Sequence, residues 1–249
     1  MNDFSRTYAG APSMDTSVDA GLRSYMLGIY NLMMLGLLVT AGAAVMAANL
    51  FFVGLGGGTV GVTELGNTIF NTPLRWVVML APIAMVMMIS FGANKMSSGM
   101  ARVLFYVFAA VMGISLSSII AIYTPGSIGN TFFVTAAAFG ALSLYGYTTK
   151  TNLTGMGSFL IMGVFGLILA SVVNMFLGSS ALDFAISAIG VLIFAGLTAY
   201  DTQRLKISYY EYGGSPEAAA KMKVHGALSL YLDFINMFLF LLRFMGNRN

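Results

Sequence analysis

The sequence predicts an all-α membrane protein with seven transmembrane helices, and three observations support this fold class. Only 8% of the 249 residues are charged, whereas soluble globular domains carry roughly 25%. Hydrophobic residues make up 58% of the chain and form runs long enough for a helix to cross about 30 Å of hydrocarbon. The runs lack the ten-residue alternation of membrane β-strands. Helices are therefore expected, because lipid cannot pair with backbone polar groups.

The first apolar run predicts span 1 over residues 24–53. A glycine-rich connection containing Glu64 and Pro73 follows it. The remaining six spans are predicted at 74–94, 102–123, 129–147, 157–177, 183–203 and 225–245. Short segments at 124–126 and 177–180 have the Pro, Gly and Ser content of tight turns between antiparallel helices. The loop 204–224 is predicted to be long, with one short helical stretch at 217–223.

These spans define one seven-helix bundle over residues 24–245. Residues 1–23 are polar, carry Asp3, Asp15 and Asp19, and lack the basic start and apolar stretch of a secretory signal. They are predicted to form a flexible cytoplasmic tail, and residues 246–249 a short C-terminal tail. A net charge of +3 without a basic run gives no sign of nucleic-acid binding.

The distribution of lysine and arginine predicts the orientation in the membrane. Cytoplasmic segments are enriched in these residues. If the N-terminus is cytoplasmic, nine of the 12 lie on the cytoplasmic side: Arg6, Arg23, Lys95, Arg102, Lys150, Arg204, Lys206, Lys221 and Lys223. Three lie on the other side: Arg75, Arg243 and Arg248. The prediction is an integral protein of a bacterial inner or plasma membrane, with a cytoplasmic N-terminus.

Two acidic residues lie within apolar spans, where charge is costly. Asp201 is predicted about 3 Å inside the cytoplasmic end of span 6, and Asp233 about 12 Å inside span 7. A charged Asp at a helix centre costs roughly 2.5–3.5 kcal/mol on insertion scales, so such residues are functional candidates. The alternatives are a surface Asp201 beside Arg204 and an Asp233 that makes a purely structural hydrogen bond.

If the two carboxyl groups meet, their chemistry is specific. Two carboxylates close together in a low dielectric cannot both ionise cheaply, so they share a proton. A shared proton would tie span 6 to span 7. Two ionised groups would repel each other or bind a hard cation such as Ca²⁺ transiently through oxygen. Asn236, three residues after Asp233, could support either state.

Both segments resemble the Bax-inhibitor (transmembrane Bax-inhibitor-motif) family, in its bacterial form. The resemblance lies in Tyr200-Asp201-Thr202-Gln203 and in Ser229-Leu230-Tyr231-Leu232-Asp233-Phe234-Ile235-Asn236, with Leu241-Leu242-Arg243-Phe244 behind them. It implies two three-helix layers around a central C-terminal helix. It also implies a pH-dependent calcium leak controlled by Asp201 and Asp233, with Tyr200 and Gln203 in a supporting role.

Some relatives place an arginine cluster near the pair, at the end of span 2, where this chain offers only Lys95. The resemblance further implies an association with a membrane-bound quality-control protease. Two other functions stay open: an interaction protein that uses residues 1–23 to regulate such a protease, and a proton-coupled cation exchanger.

An enzyme is not expected, and neither is a cofactor, apart from Ca²⁺ as a possible transported ion. The single histidine, His225, and the absence of cysteine leave no zinc site. An intramembrane aspartyl protease would need a Gly-x-Gly-Asp motif, but Asp233 follows Leu230-Tyr231-Leu232. The glycines at 56, 58 and 61 fit G-x-G-x-x-G without the strand and helix that a dinucleotide site requires.

Overall fold

A computed structural model describes residues 13–55, 60–92, 96–212 and 216–249. Eight α-helices and one short hairpin make up this part of the chain. They are α1 (Ser13–Phe51), β1 (Phe52–Val53), β2 (Gly61–Val62), α2 (Glu64–Phe70), α3 (Leu74–Gly92), α4 (Ser98–Ile122), α5 (Pro125–Thr148), α6 (Thr154–Leu177), α7 (Ser180–Tyr212) and α8 (Pro216–Met245). Seven of these helices are long and apolar enough to cross a membrane. The predicted fold class is confirmed.

The helices form two groups of three around α8. In the first group α4 packs between α1 and α3, and in the second α7 packs between α5 and α6. The C-terminal helix α8 contacts α1, α4, α5 and α7 and is the most buried of the seven spans. Tyr231 and Leu230 of α8 have no exposed surface. The two-layer arrangement around a central last helix is therefore as expected.

Small residues allow the closest helix contacts, because a missing side chain lets two backbones approach. Gly113 of α4 lies against the carbonyl oxygen of Thr40 in α1, and Gly146 of α5 lies against that of Ala199 in α7. A β-carbon at either position would collide with the facing backbone. The bundle is thus packed tightly where α1 meets α4 and where α5 meets α7.

Helix ends carry the expected local signals. Thr124 caps α5 by accepting a hydrogen bond from the Ser127 amide, with Pro125 in the first turn, where a proline loses no helical bond. Gly178 ends α6 in the left-handed conformation, with φ of 59°, a backbone shape that glycine adopts without strain. These signals place both turns where the sequence predicts them.

The connection after α1 is more ordered than the sequence suggests. Phe52 pairs with Val62 in a two-stranded antiparallel hairpin, and Thr63 then caps the short helix α2 by accepting from the Gly66 amide at 3.0 Å. Two of the three G-x-G-x-x-G glycines, at 56 and 58, lie outside the described residues, and Gly61 lies in β2.

The prediction of a long loop over 204–224 is wrong, although the helical stretch predicted within it at 217–223 does lie in a helix, the first turns of α8. Helix α7 continues to Tyr212 and α8 begins at Pro216, so both helices extend past the apolar spans. Leu205 and Val224, inside the predicted loop, are buried in the core. Their packing keeps the polar sequence around them helical. Asp201 consequently lies well inside α7, not two residues from its end.

The predicted tails also differ from the structure. Residues 13–23 are the first turns of α1, so the boundary predicted at residue 23 falls within a helix, and residues 1–12 lie outside the described part. The C-terminal tail docks on the connection between α4 and α5. The Asn247 amide donates to Ser127 Oγ at 2.8 Å, and Tyr123 forms an antiparallel bridge with Arg248.

Candidate functional site

Helices α7 and α8 bring Asp201 and Asp233 into the same region of the core. Asp201 is 8% exposed and Asp233 is 5% exposed, although charged residues are rarely buried without a partner. The carboxyl groups lie close enough for the charge of Asp201 to act on Asp233. Both predicted acids are therefore buried neighbours on adjacent helices.

Arg204 joins the two helices at this site. One guanidinium nitrogen lies 3.3 Å from Asp201 Oδ1 and also donates to Ser229 Oγ of α8 at 3.3 Å. The hydroxyl of Ser229 also interacts with the Asp201 carboxyl group. The Arg204 side chain is 46% exposed and that of Asp201 12%, so the ion pair lies at the border between core and surface.

Asp233 lies deeper than this ion pair and is less well satisfied. Its Oδ2 atom is fully buried and has no hydrogen-bond partner in the described part of the chain. The positive charge of Arg204 reaches Asp233 as well as Asp201. An unpaired buried polar atom is rare in folded proteins and calls for an explanation such as a functional role.

The face of α8 that carries Asp233 is polar along several turns. His225, Ser229 and Asp233 are spaced four residues apart, which places them one above another on a helix. Asn236 continues this face, but its Nδ2 atom donates to the Leu232 carbonyl at 2.8 Å. The described hydrogen bonds thus tie Asn236 to its own helix.

The two motif residues that flank Asp201 serve the packing around it. Gln203 is 7% exposed; its Oε1 accepts from the Leu153 amide at 2.8 Å, and its Nε2 donates to the Thr151 carbonyl at 2.7 Å. Gln203 therefore holds the α5–α6 connection rather than the carboxyl pair. The ring of Tyr200 fills the space that Gly157 leaves open and lies 5.7 Å from the Arg204 guanidinium carbon. Lys95 lies outside the described residues.

A chain of hydroxyl groups leads from α1 to α7 beside the site. Tyr30 hydrogen-bonds Ser143 of α5, Ser143 bonds Thr202 at 2.9 Å, and Thr202 donates to the Thr198 carbonyl at 2.8 Å. Thr202 is the residue next to Asp201. These polar groups satisfy one another inside the bundle, so they cost little and fix α5 against α7.

Sequence reasoning missed the hydroxyl chain and the role of Arg204. The sequence predicts Arg204 only as a surface neighbour of Asp201, although a spacing of three residues favours contact on a helix. Ser229, Ser143 and Tyr30 carried no such signal, because hydroxyl residues are common in membrane helices.

The site could hold a cation only through a small number of oxygen atoms. Among the described residues, no group of three or more His, Asp or Glu side chains is placed to bind a metal. Ca²⁺ takes six to eight oxygen ligands when tightly bound. Two carboxyl groups supply four at most, so the arrangement suits passing contact with a cation better than a permanent metal centre.

Comparison with known proteins agrees with this architecture. Residues 22–249 match the model of the family described as "Inhibitor of apoptosis-promoting Bax1". The chain belongs to the Bax-inhibitor family. An uncharacterised protein from Caulobacter vibrioides is 50% identical over 255 residues, covering 99% of this chain and 98% of the relative.

Two further relatives extend the Bax-inhibitor match across bacteria. The inner membrane protein YbhL of Escherichia coli K12 is 45% identical, covering 95% of this chain and 98% of its own. An uncharacterised membrane protein of Streptococcus pyogenes is 31% identical, covering 94% and 97%. Together with the seven apolar helices, these relatives identify this Bax-inhibitor protein as an integral protein of the bacterial inner membrane.

Proposed function

We propose that the protein is a pH-sensitive leak channel for Ca²⁺ or a similar cation, and that Asp201 and Asp233 control it. The observation that carries this proposal is the pair of buried carboxyl groups on adjacent helices with Arg204 as their common positive partner. Folding does not require two acids at such a depth. The proposal concerns the passage of an ion and does not include catalysis of a reaction.

The charge balance of the site supports a proton-dependent change. With one proton on the pair, the remaining carboxylate and the Arg204 guanidinium sum to zero, which suits a low dielectric. We place the proton on Asp233, because Asp201 already has Arg204 at 3.3 Å while Asp233 Oδ2 has no described partner. The protonated acid can then donate a hydrogen bond toward α7.

Loss of this proton changes both the contact between the helices and the charge. The site then carries one net negative charge, and the two carboxylates repel each other across the α7–α8 interface. A hard cation relieves this repulsion by accepting carboxylate oxygens. Since cations compete with protons for the same oxygens, Ca²⁺ binding at the site strengthens as pH rises.

Reconstitution in liposomes tests the proposal. Purified protein is inserted into vesicles that contain a Ca²⁺ indicator, and Ca²⁺ entry is recorded at steps between about pH 5 and pH 8, because interacting carboxyl groups release their protons in two separate steps. In the wild type we expect entry to depend on pH. Asp201→Asn and Asp233→Asn should each flatten this dependence, because an amide cannot release the proton.

Asp183→Asn is the matched control. Asp183 lies on the same helix α7, but its side chain is 40% exposed and pairs with Arg243 at 3.7 Å, away from the site. Its pH profile should match the wild type. Wild-type profiles in both Asp201→Asn and Asp233→Asn vesicles would reject the carboxyl pair as the sensor. If a fixed number of protons leaves the vesicle for each Ca²⁺ that enters, the protein is a proton-coupled exchanger that uses the same site, and not a leak channel.

A further inference from the structure

An open crevice runs between α1 and α5 on the outer surface of the bundle. It encloses about 920 Å³ and is bordered by Leu27 and Met34 of α1 and by Gly140 and Leu144 of α5, with Phe234 of α8 at its base. These two helices belong to different layers, so the crevice marks a seam between the layers. Leu27, Met34 and Leu144 are each at least half exposed, which leaves the crevice open to the lipid.

The walls of this crevice are apolar and adaptable along most of its length. Three methionines, Met26, Met33 and Met34, line the α1 side, and methionine fits ligands of irregular shape because its side chain is unbranched and flexible. The polar Tyr30 and Ser143 are bonded to each other, so they present little unsatisfied polarity. Such a lining suits a hydrocarbon chain.

Positive charge is gathered at one end of the crevice. Arg23 borders it near the N-terminal end of the apolar part of α1, and no described side chain forms an ion pair with Arg23. At the same end, Lys206 lies beside the crevice and donates to the carbonyl of Tyr147, a lining residue, at 2.9 Å. An apolar slot with Arg23 at its mouth and a second cation nearby has the polarity of a lipid with a negative headgroup.

The length of the crevice fits one acyl chain. Its α1 wall extends from Arg23 to Leu37, about 21 Å at 1.5 Å per residue. One leaflet of a bilayer has about 15 Å of hydrocarbon, half of the total of about 30 Å. A chain that begins near Arg23 therefore lies within the crevice over the depth of one leaflet, with the headgroup still at the membrane surface.

We propose that the crevice between α1 and α5 is a binding site for one anionic phospholipid, with an acyl chain along the methionine-lined wall and the phosphate on Arg23. This site is separate from the carboxyl pair and does not depend on the proposed leak. It differs from the general lipid coat of a membrane protein in having one occupant, a defined depth and a preference for negative headgroups.

Native mass spectrometry of the detergent-purified protein tests this site. The protein is stripped of lipid and titrated with phosphatidylglycerol or phosphatidylcholine of identical acyl chains. We expect the wild type to retain one phosphatidylglycerol per chain and to prefer it over phosphatidylcholine. Arg23→Gln should lower this preference by about fivefold, which corresponds to the loss of one cation near the headgroup.

Filling the crevice provides the second arm of the test. A β-carbon at Gly140 meets nothing within 4 Å, so Gly140→Leu adds bulk at the crevice from a position with room for the start of its side chain, and it should abolish the retained lipid. Gly129→Leu on the same helix is the matched control, because Gly129 is equally open but does not border the crevice. Helical circular dichroism checks that each variant is folded.

Three outcomes would overturn the proposal. One is a wild type that keeps no lipid at a stoichiometry of one. Another is equal retention in the Gly140→Leu and Gly129→Leu variants, which would mean a general lipid coat only. The third is an equal affinity for the two headgroups in the wild type, which would remove the role of Arg23.

Discussion

At the carboxyl site, Arg204 supplies a positive charge that both Asp201 and Asp233 experience. Its side chain is nearly half exposed, whereas that of Asp201 is almost buried. Water screens an exposed charge and weakens its attraction for a carboxylate. Arg204 therefore compensates the buried negative charge of the site only in part.

The Arg204→Gln variant tests this balance. Without the guanidinium, ionising either carboxyl group becomes more costly, so the pair holds its proton to a higher pH. The midpoint of pH-dependent Ca²⁺ entry should move upward by about half a pH unit or more, a modest shift because the cation is partly screened. Arg243→Gln, which removes the exposed pair with Asp183, should leave the midpoint in place. Equal midpoints in the wild type and Arg204→Gln would contradict the model of charge balance.

Gln203 lies two residues from Asp201 but has a structural role in the bundle. Its amide pairs with the Leu153 amide and the Thr151 carbonyl, so Gln203→Leu leaves the buried amide of Leu153 unpaired. We expect a loss of about 1–3 kcal/mol in the free energy of unfolding, measured as a lower midpoint of thermal unfolding in detergent. The pH midpoint of Ca²⁺ entry should stay unchanged. A shifted pH midpoint with normal thermal stability would instead assign Gln203 to the sensor.

At the scale of helices, a glycine allows the close contact between α5 and α7. Gly146 lies directly against the Ala199 carbonyl, two residues before Asp201, and has no room for a β-carbon. Gly146→Ala should push α5 away from α7 and lower the midpoint of thermal unfolding. The displacement should also weaken the hydrogen bond between Ser143 and Thr202.

Gly140→Ala on the same helix is the reference for this prediction. Its β-carbon would lie in open space, and replacing glycine by alanine favours a helix by about 0.5–1 kcal/mol. Gly140→Ala should therefore match or exceed the wild type in thermal stability, while Gly146→Ala falls below it. Similar unfolding midpoints for the two variants would show that α5 and α7 adjust without cost.

The sequence is a good guide to helix positions because lipid enforces them. All seven spans appear, since an apolar run of this length must be helical in a bilayer. The predicted end of span 6 at residue 203 is too early because hydropathy records only the hydrocarbon layer. The helical extension from Arg204 to Tyr212 depends instead on tertiary packing, with Leu205 buried against Gly226.

The sequence likewise predicts some residues of the candidate site and not others. Asp201 and Asp233 are visible because a buried acid is costly in any apolar span. The contact between Arg204 and Ser229 depends on how α7 is rotated relative to α8, and a pattern along one helix does not define that rotation. The roles of Gln203 and the hydroxyl chain likewise depend on contacts between residues at least 50 positions apart.

For the molecule as a whole, α8 is the common support of both layers. Tyr231 of α8 lies between Phe105 and Phe108 of α4 and bonds Thr40 of α1 at 2.6 Å. The single proton of Thr40 already goes to a carbonyl group, that of Ala109 or Gly36, so Tyr231 is the donor in this bond. Asp233, two residues along α8, is thus attached to a helix that contacts both layers.

The orientation of this bundle in the membrane is the remaining prediction from charge. Because α1 is one continuous helix, the seven spans alternate in direction as predicted, and the α5–α6 connection lies on the same side of the membrane as the N-terminus.

The chain has no cysteine, so a single introduced cysteine reports its side of the membrane without background labelling. Lys150→Cys in that connection should react with a membrane-impermeant maleimide only after the cells are opened. Gly126→Cys, at an exposed position in the first turn of α5, should react in intact cells. The reverse pattern would place the lysine-rich side outward and contradict the positive-inside rule for this protein. It would also turn the cationic end of the α1–α5 crevice toward the outer leaflet.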